Sequence, residues 1–309
     1  MNKDILITGA SGLIGTPLTT MLQEKGYRVA HLSRTHVLGK VPTFVWDVHK
    51  HQLDEDALKS ADSIIHLAGA SLAAKPWTKK NKQEILFSRI HSTRLIYDEL
   101  KKGNHHVKSF VSASAIGYYG FGDKGKVFTE IDNPGVDFLA EVVHQWEKSV
   151  DQIATLGIRM VKVRIGIVLS VEGGALKELI RPLKLYVGSP LGSGMQYLSW
   201  IHLNDLCRIF IKAIEDDTMK GVYNAVAPHP VTNKEFTYAC ANVLHKPILL
   251  PKVPSFVLKL LLGEMADLVL KGSKVSSEKI QSTGFKFHYT KLDDALADLL
   301  SKKASSFEP

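Results

Sequence analysis

The run Ile5-Leu-Ile-Thr-Gly-Ala-Ser-Gly-Leu-Ile-Gly15 narrows the choice of fold more than any other stretch. Ile5 to Ile7 is unbroken apolar sequence, the pattern of a parallel strand covered on both faces. Gly9, Gly12 and Gly15 follow at three-residue spacing, and Leu18, Met21 and Leu22 then take up helical spacing. A strand that turns through glycine into a helix leaves backbone N–H groups bare at a partly positive helix start, which favours anions. Gly9 permits the turn, Gly12 lets a pyrophosphate approach the amides, and Gly15 lets the helix pack close to the sheet. With Ser11, Leu13 and Ile14 between them, these glycines predict a dinucleotide-binding turn.

What ends the second strand selects the nucleotide. Gly26 stops the first helix, and Tyr27 to Leu32 reads as strand. An NAD site expects Asp or Glu there for the ribose 2′-OH. This chain has Ser33-Arg34 instead. A guanidinium takes a 2′-phosphate through paired charge-assisted bonds, whereas a carboxylate repels it, so NADP(H) is expected. Asp47 closes a third strand from Thr43, either near an adenine amino group or simply as a turn residue.

Further along, a short helix is expected over Leu53 to Leu58 and a strand over Ser63 to His66. The small residues after Leu67, Ala68 and Gly69, allow a ribose close approach at a strand end. A long helix over Lys80 to Lys102 carries Arg89 on its inward stripe. An inward cation needs an anion, which either a cofactor phosphate or Glu84 supplies. Ser109 to Ser112 is strand and leads to Ser114 and Tyr118. Phe138 to Leu156 is an amphipathic helix facing inward through Leu139, Val142, Val143, Trp146, Val150 and Ile153. Met160 to Arg164 is strand again. This alternation argues an α/β fold: a doubly wound parallel Rossmann sheet with a smaller, mainly helical C-terminal domain.

The expected division is 1–227 for the nucleotide domain, with substrate loops inserted at about 166–197, 228–300 for the substrate domain, and a frayed tail over 301–309. Tyr197 to His202 reads as strand, Asn204 or Asp205 as the cap of a helix through Ile214, and Thr232-Asn-Lys-Glu235 as a capping box. Cys207 and Cys240 have no motif spacing and read as reduced core thiols. The apolar runs are too short to span a bilayer, and residues 1–8 enter the first strand at once. A cytoplasmic protein without a signal peptide or membrane partner is expected. The net charge of +8 is dispersed, without a basic-aromatic pattern, so nucleic acid is not an expected partner. No metal-ligand cluster shows in the spacing.

The glycine turn, Leu67-Ala68-Gly69, Ser112-Ala-Ser114 and Val163-Arg164-Ile-Gly166 together resemble the extended short-chain dehydrogenase/reductase superfamily. More narrowly, Ser88-Arg89-Ile90, Gln145-Trp146-Glu147, Gly192-Ser-Gly194 with Gln196, Ser199-Trp-Ile-His202 and Ala227-Pro-His-Pro-Val-Thr-Asn233 resemble its atypical epimerase/dehydratase-like subfamily with a C-terminal domain of unknown function. The resemblance implies NADP(H) held by the glycine turn, Ser33, Arg34, His66, Leu67, Glu84, Arg89 and Gln145.

One departure stands out. Hydride-transfer members of the superfamily carry a Tyr-x-x-x-Lys pair on the helix after the Ser strand, where Lys lowers the Tyr pKa. Aligning on Glu147 places Leu139 and Val143 there, and neither moves a proton. Tyr97 and Lys101 have the spacing but precede the Ser114 strand, so they read as solvated surface. The substitutes are Ser114, whose hydroxyl polarises a carbonyl, and Tyr118 or Glu130 as acid/base. His202 either faces substrate or bonds within its strand. Two functions follow: an NADP(H)-dependent oxidoreductase or nucleotide-sugar-epimerase-like enzyme, on a small or nucleotide-linked substrate and possible as a homodimer, or a non-catalytic NADP(H) sensor.

Overall fold

Apolar runs in the first half of the chain build the middle of an eight-stranded sheet. The computed structural model describes residues 3–37, 39–121 and 125–301. The sheet strands are β1 (Asp4–Thr8), β2 (Arg28–Ser33), β3 (Thr43–Asp47), β4 (Gln52–Leu53), β5 (Ser63–His66), β6 (Ser109–Ala115), β7 (Arg159–Ile165) and β8 (Gly221–Ala225). Their order is β8-β7-β6-β5-β1-β2-β3-β4. β1 pairs in parallel with β2 and β5, as do β2 with β3 and β5 with β6. The short β4 pairs antiparallel with β3. Ile5, Leu6, Ile7, Ile64 and Ile65 are at most 1% exposed, as strands covered on both faces require.

The chain leaves β1 toward β2 and later returns to β5 on the other side. The order therefore reverses between β1 and β5, the place where open α/β sheets bind ligands beyond their strand ends. Helices α1 (Gly15–Glu24), α2 (Asp56–Lys59), α3 (Lys79–Lys101) and α4 (Phe138–Ala154) lie between the strands in sequence. α3 starts at Thr78, whose hydroxyl accepts from the Asn81 amide. All six apolar residues expected on the inner face of α4 are buried.

Local differences have local causes. Leu53 belongs to β4 rather than to a helix, because it pairs with Trp46, and α2 is a single turn. The strand expected over Tyr197 to His202 is two pieces. Tyr197–Leu198 pairs antiparallel with Val231–Thr232, and Trp200–His202 pairs parallel with Ile167–Leu169. Ser199 breaks the run, since its hydroxyl donates to Ser273 O and accepts from Val275 N.

Helix α5 (Gly174–Lys184) follows, then α6 (Leu203–Glu215), α7 (Asn233–Val243) and α8 (Ser255–Leu262). The capping box at α7 forms as expected, with Thr232 and Glu235 reciprocally bonded. Asp205 lies within the first turn of α6, and its carboxylate accepts from the amides of His288 and Tyr289, 2.9 Å each. Shorter helical turns, a two-residue strand and the ten-residue helix Leu292–Ser301 follow α8. Cys207 and Cys240 are free and buried, and burial pushes both thiols up to about 12. Residues 302–309, most of the expected tail, lie outside the described residues.

The described residues fall into two compact units. One lies within Met1–Tyr118, Glu141–Arg164 and Cys207–Tyr223, the other within Tyr119–Ala140, Ile165–Leu206 and Asn224–Pro309. The second unit has its own core, in which Trp200, Phe236, Cys240 and Leu176 are fully buried.

Candidate nucleotide site

The glycine turn has the shape its spacing implies. Gly9 sits at φ +68°, the Gly12 amide donates to Gly9 O at 3.0 Å, and the Thr16 amide donates to Gly12 O at 3.1 Å. α1 has no side-chain cap and no acidic residue in its first turn, so no carboxylate competes for its N-terminal amides. Each glycine is needed for a separate reason. A Cβ on Gly9 would lie 2.9 Å from the Leu67 carbonyl carbon, so Gly9 lets the turns after β1 and β5 touch backbone to backbone. A Cβ on Gly15 would lie 2.5 Å from Ala10 Cα and Gly9 O. Gly15 thus lets the first turn of α1 close against the backbone that leaves β1. A Cβ on Gly12 meets only Gly9 O, at 3.2 Å, and Ser11 and Gly12 are exposed. That outer surface is left for a ligand.

Beneath the turn, Thr8 ties the two strand ends together. Its hydroxyl accepts from the amides of Leu67 and Ala68 at 3.1 and 3.2 Å and lies 2.8 Å from His66 Nδ1. With its acceptor side used, the hydroxyl gives its one proton to Nδ1. His66 Nε2 then carries the hydrogen and donates to Ser92 and Thr93, 3.2 Å each, while both hydroxyls donate to Arg89 O. Burial, with the Arg89 charge adding, pushes His66 down to about 3. The imidazole is neutral, and both nitrogens are used inside the fold. His66 reaches a ligand only through its backbone.

Arg34 follows β2, is exposed, and makes no recorded ion pair among the described residues. Asp47 is a turn residue: its Oδ1 accepts from the amides of His49 and Lys50, and those bonds, led by that from Lys50, hold its carboxyl below the ordinary range. Arg89 is different. Burial pushes it down to about 10, yet its recorded polar contact is with Ile85 O, at 2.8 Å, and its guanidinium carbon lies 5.2 Å from the centre of the Trp146 ring. Glu84 does not neutralise it, for Glu84 is exposed and 3.7 Å from Lys75. A Cβ on Gly69 would sit 3.1 Å from the Arg89 guanidinium carbon, so the missing side chain is what accommodates it. The Trp146 indole nitrogen is buried without a partner. A largely desolvated cation beside an unused N–H donor suits an anionic ligand. Gln145 faces along its own helix and donates to Glu141 at 2.8 Å.

Ser114 introduces a network that spacing alone did not reveal. Its hydroxyl donates to Glu147 Oε1 at 2.6 Å. Arg164 donates to both Glu147 oxygens at 2.8 and 2.9 Å, and Lys162 lies 3.4 Å away. Burial alone would raise the Glu147 carboxyl; the bonds and charge of Arg164, then Lys162 and Ser114, outweigh it and hold the group below its usual value. Arg164 also stacks on Tyr118, its guanidinium carbon 3.4 Å from the ring centre. The signal for Glu147 was present: it stands four residues after Val143 on the buried stripe of α4, where a carboxylate needs cations.

In the second unit, Glu130 Oε1 accepts from the Asn224 amide at 2.8 Å, and the Asn224 side chain accepts from Tyr119 at 2.7 Å. Gln196 donates to Leu191 O and Val269 O. His202 bonds within its own region, accepting from the Asn204 amide at 3.1 Å, stacking on Tyr289 and lying 3.4 Å from Asp298. Among the described residues no group of three or more His, Cys, Asp or Glu is placed to hold a metal, and no helix is long and apolar enough to cross a membrane.

A parallel sheet that reverses order beside a glycine turn defines a Rossmann-type nucleotide-binding protein. Comparison narrows this class: the NAD dependent epimerase/dehydratase family profile matches residues 5–225, and a domain of unknown function, DUF1731, matches 253–299. The chain belongs to that family. An epimerase family protein of Staphylococcus aureus (strain MRSA252) is 38% identical over 304 residues, 97% of this chain and all of that protein. One from Staphylococcus saprophyticus is 39% identical over 299 residues, 96% of this chain and 99% of that one. Human epimerase family protein SDR39U1 (isoform 2), solved with NADPH, is 30% identical with TM-score 0.87 over 96% of this chain and 99% of that chain. A nucleoside-diphosphate sugar epimerase from Corynebacterium glutamicum is 29% identical with TM-score 0.80, covering 98% of this chain and 59% of that chain.

Proposed function

We propose that the chain binds NADP(H) and acts as an oxidoreductase or epimerase-like enzyme on a small or nucleotide-linked substrate. The observation that carries this reading is the exposed Gly12 turn, with uncapped helix amides, one strand away from an exposed Arg34 and no acid after β2. The pyrophosphate belongs on the turn, the 2′-phosphate on Ser33 and Arg34, and a further anionic group on Arg89. The human relative solved with NADPH supports the same choice. Bound NADP(H) supplies or accepts the hydride.

The protein's own part is to place substrate and handle one proton. Ser114 has committed its proton to Glu147, and one Glu130 oxygen is engaged by Asn224. Tyr118, partly exposed and backed by Arg164, is therefore the first choice for that proton. The sensor reading keeps one specific support, the burial of Leu139 and Val143, at 8% and 4% exposure, at the positions expected for the Tyr and Lys of hydride-transfer members of the superfamily.

Calorimetry tests the cofactor assignment. Arg34→Ala should weaken NADPH about 10- to 100-fold, the equivalent of ~1.5–3 kcal/mol for charge-assisted bonds, and leave NADH nearly unchanged. Equal losses would refute it. Oxidation of NADPH across a panel of carbonyl compounds identifies an oxidoreductase, and interconversion of nucleotide sugars at constant NADPH identifies an epimerase-like enzyme; a sensor does neither.

A further inference from the structure

The second unit carries a patch of projecting apolar side chains. Residues 185–192 run beside 246–255: the Ser189 hydroxyl donates to Leu250 O and Pro251 O at 3.0 and 2.8 Å, and Gly192 N donates to Val253 O at 2.8 Å. α8 follows directly. On it Phe256 is 71%, Leu260 84% and Leu261 73% exposed, while Leu258 is buried. At about 100° per residue, Phe256, Lys259 and Leu260 share the arc opposite Leu258. Leu249, 68% exposed, extends the apolar surface from the adjoining segment. Projecting apolar side chains concentrated on one short helix mark an interaction site.

The charge along this segment has one sign. Residues 245–262 hold Lys246, Lys252 and Lys259 and no Asp or Glu. A second copy laid on the same face brings like charges together, which opposes self-association there. Side chains this exposed project outward instead of lining a groove, so a protein partner needs holes shaped to receive them. A fluid acyl layer needs none, and lysine stems carry their ammonium groups up to headgroup phosphates while leucines enter below.

We propose that this face lies on an anionic membrane surface, with Phe256 and Leu260 entering the headgroup boundary and Lys252 and Lys259 on lipid phosphates. The expectation of no membrane partner rested on the lack of a spanning segment, and resting on a bilayer needs none. The inference is independent of the nucleotide reading.

The test is co-sedimentation of the full chain with phosphatidylcholine vesicles, with and without phosphatidylglycerol. Binding to the mixed vesicles is expected, weakened by high salt. It should fall about tenfold or more in Leu260→Asp and in Lys252→Glu/Lys259→Glu, as loss of one inserted aliphatic side chain implies. The heat of NADPH binding should not change in either variant. Absence of binding to the mixed vesicles overturns the proposal, as does equal binding by both variants. So does a concentration-dependent dimer that Leu260→Asp abolishes, since the patch is then a protein interface.

Discussion

Glu147→Ala tests whether the carboxylate is what allows two cations inside the first unit. The side chains of Glu147, Arg164 and Lys162 are 5%, 3% and 7% exposed. Removing the carboxylate leaves Lys162 with Asp151 at 2.6 Å, so only Arg164 loses its anion. Breaking a buried pair from one side costs about 3–5 kcal/mol, and one stranded cation places this variant near the lower bound. Urea unfolding followed by tryptophan fluorescence measures it as a lower midpoint at unchanged slope. Glu147→Met/Arg164→Met, which removes both charges, should recover most of the loss. The pH dependence has a definite sign. The folded carboxyl lies below its ordinary value of 4.5, so its contribution is complete above that pH and is lost as pH falls through the depressed folded value. A single-variant cost under about 1 kcal/mol, or a double variant as unstable as the single, would refute the reasoning.

Gly12→Val should retain the fold, since the new Cβ meets only one carbonyl oxygen, yet abolish binding of both NADPH and NADH; retained binding in calorimetry would remove the turn from the site. Gly69→Ala crowds the Arg89 guanidinium and should weaken NADPH about tenfold, the loss of one charge-assisted contact, with the urea midpoint little changed. His66, held near 3 against an ordinary 6.5, should cost about 1.4 kcal/mol of stability per pH unit below 6.5, because only the unfolded chain takes the proton. His66→Gln should flatten that slope in urea titrations between pH 6.5 and 5, and an unchanged slope would show that the ring is not held neutral.

The glycine turn and the parallel sheet were legible because each rests on local sequence. An apolar run, three glycines and a helical stripe need no distant partner to be recognised. Of the two anions offered for Arg89, Glu84 drops out because five residues of helix set the two on different sides, one inward and one toward Lys75. Ser114 was identified for its hydroxyl, but the direction of its proton depends on Glu147, 33 residues later. Asn224, which engages Glu130, is 94 residues away and belongs to no motif. Spacing locates residues on one element; it does not say which distant group will hold their protons.

The Thr8 hydroxyl has a consequence for sequence change at this end of the sheet. It is one oxygen serving two amides of the neighbouring crossover and one imidazole. Valine matches its outline but takes the partner from the Ala68 amide and from His66 Nδ1, while the Leu67 amide keeps Thr8 O; serine keeps the oxygen and gives up only a methyl. The turns after β1 and β5 are thus fastened to one another through this residue, and a displacement of either is carried to the other.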